Sequence, residues 1–339
     1  MRKAGKRIAV VAASLVALAA AGIGAAGAED ITIGTLKVAA SGPVYVAVEK
    51  GYFAAEGLNA KIVFFDAAVP IAVGCVTGDI DFSTSALIAA IYSLAGQGAL
   101  RIISGASREV PGFQGQAFLA SDHAYEAGLT ALKDFGGHSF AVSQLGGPAH
   151  YVLGLISDKY GFPLSGMRIM AMQTLPNALS AVVGGKVDTT IISMSPTFPS
   201  LVASGKVKFL GWVGDAVSWQ FGAAFTSARI ADNKHDEVER FLTAYRKATR
   251  EYYDAFTAPD GTRRDGPNAT EILTILAKYT GQTVEQLRQG VSYYDRDARL
   301  DVKDVLHQIA WYQSQGMLKG KVDGGAVIDR RYVVALPAP

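Results

Sequence analysis

The chain has 339 residues, 32 Lys and Arg against 30 Asp and Glu, one cysteine, and half of its residues apolar. A net charge of +2 offers no basic face for a nucleic acid, and a lone cysteine rules out an intramolecular disulfide, so the fold must hold by burial. The length allows two lobes, each with a core of its own.

The first predicted element is a leader. Arg2, Lys3, Lys6 and Arg7 precede an apolar run from Ile8 to Ile23, and Ala26-Gly27-Ala28 supplies the small residues a signal peptidase needs. Cleavage after Ala28 is expected, making residues 1–28 a signal peptide and the body an exported protein. Losing those four basic residues takes the net charge from +2 to −2. The run is short for a bilayer and interrupted by glycine, and no later apolar segment is long enough to span one.

Next, "ITIGTLKVA" and "NAKIVFF" read as strands, with a helix from Pro43 to about Lys50 between them and Gly51 as its stop. β-branched runs alternating with helical periodicity predict an α/β fold with a largely parallel sheet. Cys75, in "PIAVGCVTG", has apolar neighbours and reads as core packing. "RIISGAS" reads as a strand, "REVPGFQG" as a loop and "QAFLAS" as a strand that crosses into a second lobe. After "KVKFLGWVGD" the chain is expected to return through "FGAAFTS", and two crossings make a hinge. The expected lobes are 29–118 with 222–339, and 119–221. Toward the C-terminus, Val238, Phe241, Leu242, Tyr245, Tyr252 and Phe256 recur at helical spacing, and Asp301 is placed to cap a helix that stops at Gly316.

The second half of the chain answers the first. Gly42-Pro43 and Gly147-Pro148 each open a helix; "VPIAVGCVTGDIDFSTS" matches "LPNALSAVVGGKVDTTIISMS". The landmarks keep nearly constant offsets: 105 residues from Pro43 to Pro148, 106 from Pro70 to Pro176 and 107 from Asp81 to Asp188. This pattern predicts two lobes of like topology. Asp81 and Asp188, each after a glycine stop, are expected in matched turn or cap roles.

In an open α/β sheet, ligands gather beyond the carboxyl ends of the strands, where helix N-termini point. "SQLGGPAHY" fits that place: Pro148 at a helix start gives up only an orphan N–H, and Gly147 permits close approach of a ligand. The remaining N–H groups there favour an anion. Ser41 and Gly42 do the same in the first lobe, and Ser83, Thr84, Ser85, Ser193 and Ser195 bring hydroxyls to strand ends. Arg108 follows a strand and has the geometry to pair bidentately with a carboxylate or sulfonate. Gln144, His150 and Asn177 lie at or beside the second lobe's helix starts, and Trp212 stands at a strand end where an indole can stack on a solute. The chain holds no G-x-S-x-G, H-E-x-x-H or G-x-x-x-x-G-K-[ST] motif, and its five histidines are scattered. No catalytic residue, metal or cofactor is expected.

Beyond the residues themselves, "VEKGYFAAEGLNAKIVFFD", "TGDIDFSTS", "ALKDFGGHSFAVSQLGGPAHYVL", "LPNALSAVVGGKVD" and "GMLKGKVDGGAVIDRRY" resemble periplasmic substrate-binding proteins of the nitrate, sulfonate and taurine type, which also include thiamine-precursor and aromatic-acid binders. The resemblance implies a type II periplasmic-binding-protein fold: two Rossmann-like lobes on a two-segment hinge. It also implies a monomer that closes on a solute and delivers it to an ABC-transporter permease, with a cleft lined around Ser41, Ser85, Gly147 to His150, Asn177, Ser195 and Trp212. Where members commonly carry Gly-Ser-Thr or Gly-Ser-Ala, this chain has Gly146-Gly147-Pro148 and no hydroxyl, which counts against a sulfonate or taurine ligand. Trp212, Trp219, Phe221 and Tyr151 incline the reading to an aromatic carboxylate. The alternatives are a neutral heteroaromatic, such as a thiamine pyrimidine precursor, an exported two-lobed α/β enzyme, and a sensory binding protein feeding a receptor kinase.

Overall fold

The computed structural model describes residues 28–194 and 198–337. The expected leader up to residue 27, and Ser195, lie outside them.

Strand β1 (Glu29–Leu36) buries Ile31 and Ile33 and opens the first sheet. Helix α1 (Gly42–Glu49), with Pro43 in its first turn, carries the chain to β2 (Leu58–Phe65), which lies parallel to β1 along its whole length. Helix α2 (Ala68–Thr77) ends at Gly78, whose left-handed backbone suits glycine, and leads to β3 (Phe82–Ala86) on the other side of β1. Helix α3 (Ala89–Gly96) precedes β4 (Leu100–Gly105). Cys75 on α2 is fully buried, as expected, and burial pushes its thiol up to about 12.

The chain then leaves through β5 (Ser107–Glu109) and enters a second sheet with β6 (Gln116–Ser121), which starts three residues before the expected second lobe at 119. There β7 (Ser139–Val142), α4 (Pro148–Tyr160), β8 (Arg168–Ala171), α5 (Leu175–Val183), β9 (Thr189–Ser193) and β10 (Val207–Trp212) follow. The return runs through β11 (Trp219–Gln220) to β12 (Gly222–Ser227), back in the first sheet. Helices α6 (His235–Phe256), α7 (Ala269–Thr280) and α8 (Val284–Gln289), strand β13 (Tyr293–Tyr294) and helix α9 (Val302–Ser314) complete the chain's main elements.

The two sheets have the orders β2-β1-β3-β12-β4 and β8-β7-β9-β6-β10. The two orders correspond strand for strand. In each, three parallel strands are followed by an antiparallel one that arrives by crossing from the other sheet. The matched aspartates do the same work in both. Asp81 accepts the backbone N–H of Thr32 at 2.7 Å and its hydroxyl at 2.8 Å; Asp188 accepts those of Ser139 at 2.7 Å each. Each carboxylate thus staples the first of its sheet's three parallel strands to the third.

Helix α6 turns Val238, Phe241, Leu242, Tyr245, Tyr252 and Phe256 into the core, and Phe241 stacks on Phe82 at 4.1 Å. Helix α9 has a different task. Its capping residue Asp301 takes the Asp304 N–H at 3.0 Å, and Asp304 in turn accepts from the Gln220 N–H, the Gln308 side-chain amide and the Tyr151 hydroxyl. Trp311 and Tyr312 bury against Tyr151 of α4. Helix α9 therefore braces the crossing strands against the second lobe. Beside it the starts of α3 and α4 meet: the Gly146 carbonyl accepts the Ala89 N–H at 3.0 Å, and the His150 ring accepts the Gly146 N–H through Nδ1 at 3.2 Å.

Because each staple removes two hydrogen bonds when lost, Asp81→Ala and Asp188→Ala should each cost about 2–3 kcal/mol in urea unfolding. A cost below about 0.5 kcal/mol in either lobe would break the proposed equivalence. Burial also pushes His150 down to about 4, so its neutral form is the stabilising one. Its contribution is complete above the unfolded value near 6.5 and is lost as pH falls toward 4, by about 3 kcal/mol in all. His150→Asn, which keeps an acceptor for Gly146, should flatten that acid limb in urea midpoints taken between pH 7 and pH 4; an unchanged slope would refute the assignment.

Candidate functional site

A cleft of about 240 Å³ opens between the two sheets. The loop after β1, from Leu36 to Ala40, forms one wall, and Leu175 at the start of α5 with Ser193 and Met194 at the end of β9 forms the other. The crossing strands make the floor with Ser107, Glu109, Gln116 and Phe221, and α8 with the chain on either side of it closes the side with Gln282, Gln286, Leu287, Gly290 and Ser292. The volume lies at the small end for ligand sites, suited to a compact organic solute. A pouch of about 20 Å³, room for roughly one water, adjoins it and is lined by Ser41, Thr84, Ser85, Ser107 and Tyr294.

Strand alternation decides which side chains the hinge shows to this cleft. β5 lies in a small antiparallel sheet between β11 and β13. Successive side chains on a strand point to opposite faces, so Ser107 and Glu109 face the cleft while Arg108 points away. Its guanidinium donates to Asp301 at 2.8 Å, at the cap of α9. Glu109 is only 6 % exposed; burial pushes its carboxyl up to about 8, with the Gln116 N–H offsetting part of the effect. Its Oε2 has no hydrogen-bond partner, nor has Oε1 of Gln116.

The predicted site residues divide accordingly. Ser41, Thr84 and Ser85 line the pouch, and Ser193 the cleft. The hydroxyls of Ser41 and Thr84 are already engaged: Thr35 Oγ1 stands 2.8 Å from Ser41 Oγ and 3.1 Å from Thr84 Oγ1. Gly42 is buried beneath them, and a Cβ there would lie 2.5 Å from the Tyr252 ring, so packing demands this glycine. Arg108, as above, turns from the cleft into an ion pair.

Gln144, Gly147, Pro148 and His150 are not among the residues lining the cleft; the turn they form is pressed between α3 and α9. Its polar groups are spent there, because the Gly147 carbonyl accepts the Tyr312 hydroxyl and the His150 and Tyr151 N–H groups. His150 packs edge-on against Trp311 at 5.3 Å. The expected anion cradle at this helix start is thus a contact between lobes. Asn177 is exposed and its side chain bonds back to the Met172 carbonyl; its neighbour Leu175 meets the cleft instead. Trp212 packs between Phe198 and Phe209 at 5.4 and 4.8 Å.

Glu109, Gln116 and the glutamines of the α8 region escaped the sequence reading. Treating "SRE" as a strand rather than the start of a loop would have exposed the first: once Arg108 faces one way, Glu109 faces the other. The glutamines carry no signal, since their arrival at the cleft depends on how α8 packs.

Comparison with known proteins bears on the whole of this arrangement. Among curated proteins none matches. Among solved structures, the alkanesulfonate-binding protein of Xanthomonas axonopodis pv. citri, bound to MOPS, is 17 % identical with a TM-score of 0.67, covering 88 % of this chain and 98 % of that one. The zinc-bound ligand-binding component of an ABC-type import system from Staphylococcus aureus is 12 % identical with a TM-score of 0.69, over 90 % and 97 %. The periplasmic aliphatic sulphonate binding protein of Escherichia coli is 17 % identical with a TM-score of 0.67, over 92 % and 94 %. These likenesses establish the fold, a two-lobed periplasmic-binding-protein fold. The profile of the NMT1/THI5-like family matches residues 39–260, well over half of the sequence, and the chain belongs to that family.

Proposed function

We propose that this protein is the extracytoplasmic solute-binding component of an ABC importer, taking a small organic solute into the interlobe cleft and presenting it to a membrane permease on closure. The lobes that close are 29–118 with 222–339 against 119–221. The observation that carries the reading is the cleft's double lining: Leu36 to Ala40 from one sheet, Leu175, Ser193 and Met194 from the other, with the crossing strands beneath. A solute touching both walls favours the closed arrangement, and only such differential contact shifts an open–closed equilibrium. The solved relatives described as ligand-binding components and sulfonate receptors support the same role.

For the solute, the organic-anion reading, aromatic carboxylate or sulfonate, keeps Lys37 at the mouth and Phe221 as an apolar surface. It loses Arg108. The neutral heteroaromatic reading gains from the unpartnered acceptors on Glu109 and Gln116.

Denaturing the purified protein should release a small solute intact, seen by mass spectrometry; a chemically altered product would point to an enzyme instead. Readded at about 100 times its Kd, that solute should stabilise the fold by about 2.7 kcal/mol in thermal unfolding. Phe221→Ala should weaken its binding about tenfold or more, a loss of about 1.4 kcal/mol. Arg108→Ala should lower stability by about 1–3 kcal/mol, through the unpaired Asp301, while changing affinity less than about threefold. A large affinity loss in Arg108→Ala at intact stability would restore the organic-anion reading.

A further inference from the structure

Glu109 and Gln116 flank the first crossing, one ending β5 and the other starting β6. Both line the cleft, both are at least nine-tenths buried, and each keeps a side-chain oxygen without a partner. Buried polar oxygens are rarely left unmet, and a pair of them at one cleft floor is placed to take a partner from outside the chain. Gly115 helps to seat them: a Cβ there would lie 2.5 Å from Glu109 Oε1, so only glycine lets the carboxyl settle against the crossing strand. Among the described lining residues the charged ones are Lys37 and Glu109, and Lys37 is exposed at the mouth. An oxyanion reaching the floor would meet a carboxyl and no cation.

We propose that Glu109 and Gln116 are the polar recognition pair of the cleft, selecting a solute whose head group donates N–H hydrogen bonds, an amide, lactam or amidine, over an oxyanion. The assignment rests on the receptor reading above and names the class of solute it takes. Burial favours the neutral acid at Glu109, whose O–H and C=O match the edge of an amide. An amidinium would instead draw out the ionised form and bond to it with two parallel N–H groups. Because the pair flanks the first crossing, a head group bonded to both spans the hinge.

Benzamide, benzamidine and benzoate share one ring and differ in the head group alone, which makes them suitable probes for calorimetry and thermal shift. At about 10 mM they reveal binding as weak as a Kd near 1 mM. The wild-type protein should bind the amide and the amidine about tenfold or more tightly than benzoate. Glu109→Gln, which conserves volume, should lose about tenfold or more for benzamidine and keep benzamide within about threefold; Gln116→Leu should weaken both, and tests the pair should Glu109→Gln fail to fold. Benzoate binding as tightly as benzamide, no effect of either substitution, or silence from all three probes would overturn the assignment. If the wild-type protein still releases an intact solute on denaturation, such a result leaves the receptor reading standing. No released solute and no bound probe would remove both.

Discussion

The ion pair between Arg108 and Asp301 sets the geometry of the hinge, and much of the molecule follows from it. Arg108 belongs to the short strand on which both crossings converge, and Asp301 caps the helix that braces them. Once the guanidinium is committed to that cap, the strand's other face must carry Ser107 and Glu109 toward the cleft. The same cap orders the neighbouring contacts. The Asp301 N–H donates to Gln220 Oε1 on the returning strand, and Asp304, one turn on, gathers Gln220, Gln308 and Tyr151. Burial raises the Asp304 carboxyl, yet three donors share it, as a buried carboxyl of this kind requires.

Around that brace the fold is a repeat with its fourth strands exchanged. Each lobe builds its own parallel core, stapled by Asp81 or Asp188, and then receives a strand from the segment arriving across the hinge. The exchange explains why two short crossings suffice to join lobes of this size. It also makes the cleft floor out of crossing strands, so a solute bound there as proposed would touch the segments that join the lobes. On the proposed function, recognition and closure would share the same few residues.

Helix starts divided the two lobes more than their matching sequences suggest. Gly42-Pro43 and Gly147-Pro148 both begin helices, but only the first borders the cleft region. In the second, Gly147 spends its carbonyl on Tyr312 and on two N–H groups of its own helix, and Gly146 joins Ala89 across the lobes. A free helix end attracts an anion only while its donors are unspent. Here the His150 and Tyr151 N–H groups turn to the Gly147 carbonyl of their own helix, α9 covers the turn, and His150 serves as a neutral wedge against Trp311.

What was legible in the sequence were features that local chemistry alone enforces. Strand and helix periodicity, Gly and Pro punctuation, the near-constant offset between Asp81 and Asp188, the aromatic stripe of α6 and the cap at Asp301 all follow from the spacing of residues along one segment. The two crossings were readable for the same reason. The direction of a side chain at the hinge was not, because it depends on register against strands more than a hundred residues away: Arg108 opposes Gln220 and Tyr293. Sequence therefore determined the two-lobed architecture and only part of the cleft's border, the region of the loop after β1 and the end of β9. Only tertiary packing decided that Arg108 turns outward, that the SQLGGPAHY turn is sealed between helices, and that Glu109 and Gln116 bring unpartnered oxygens to the floor.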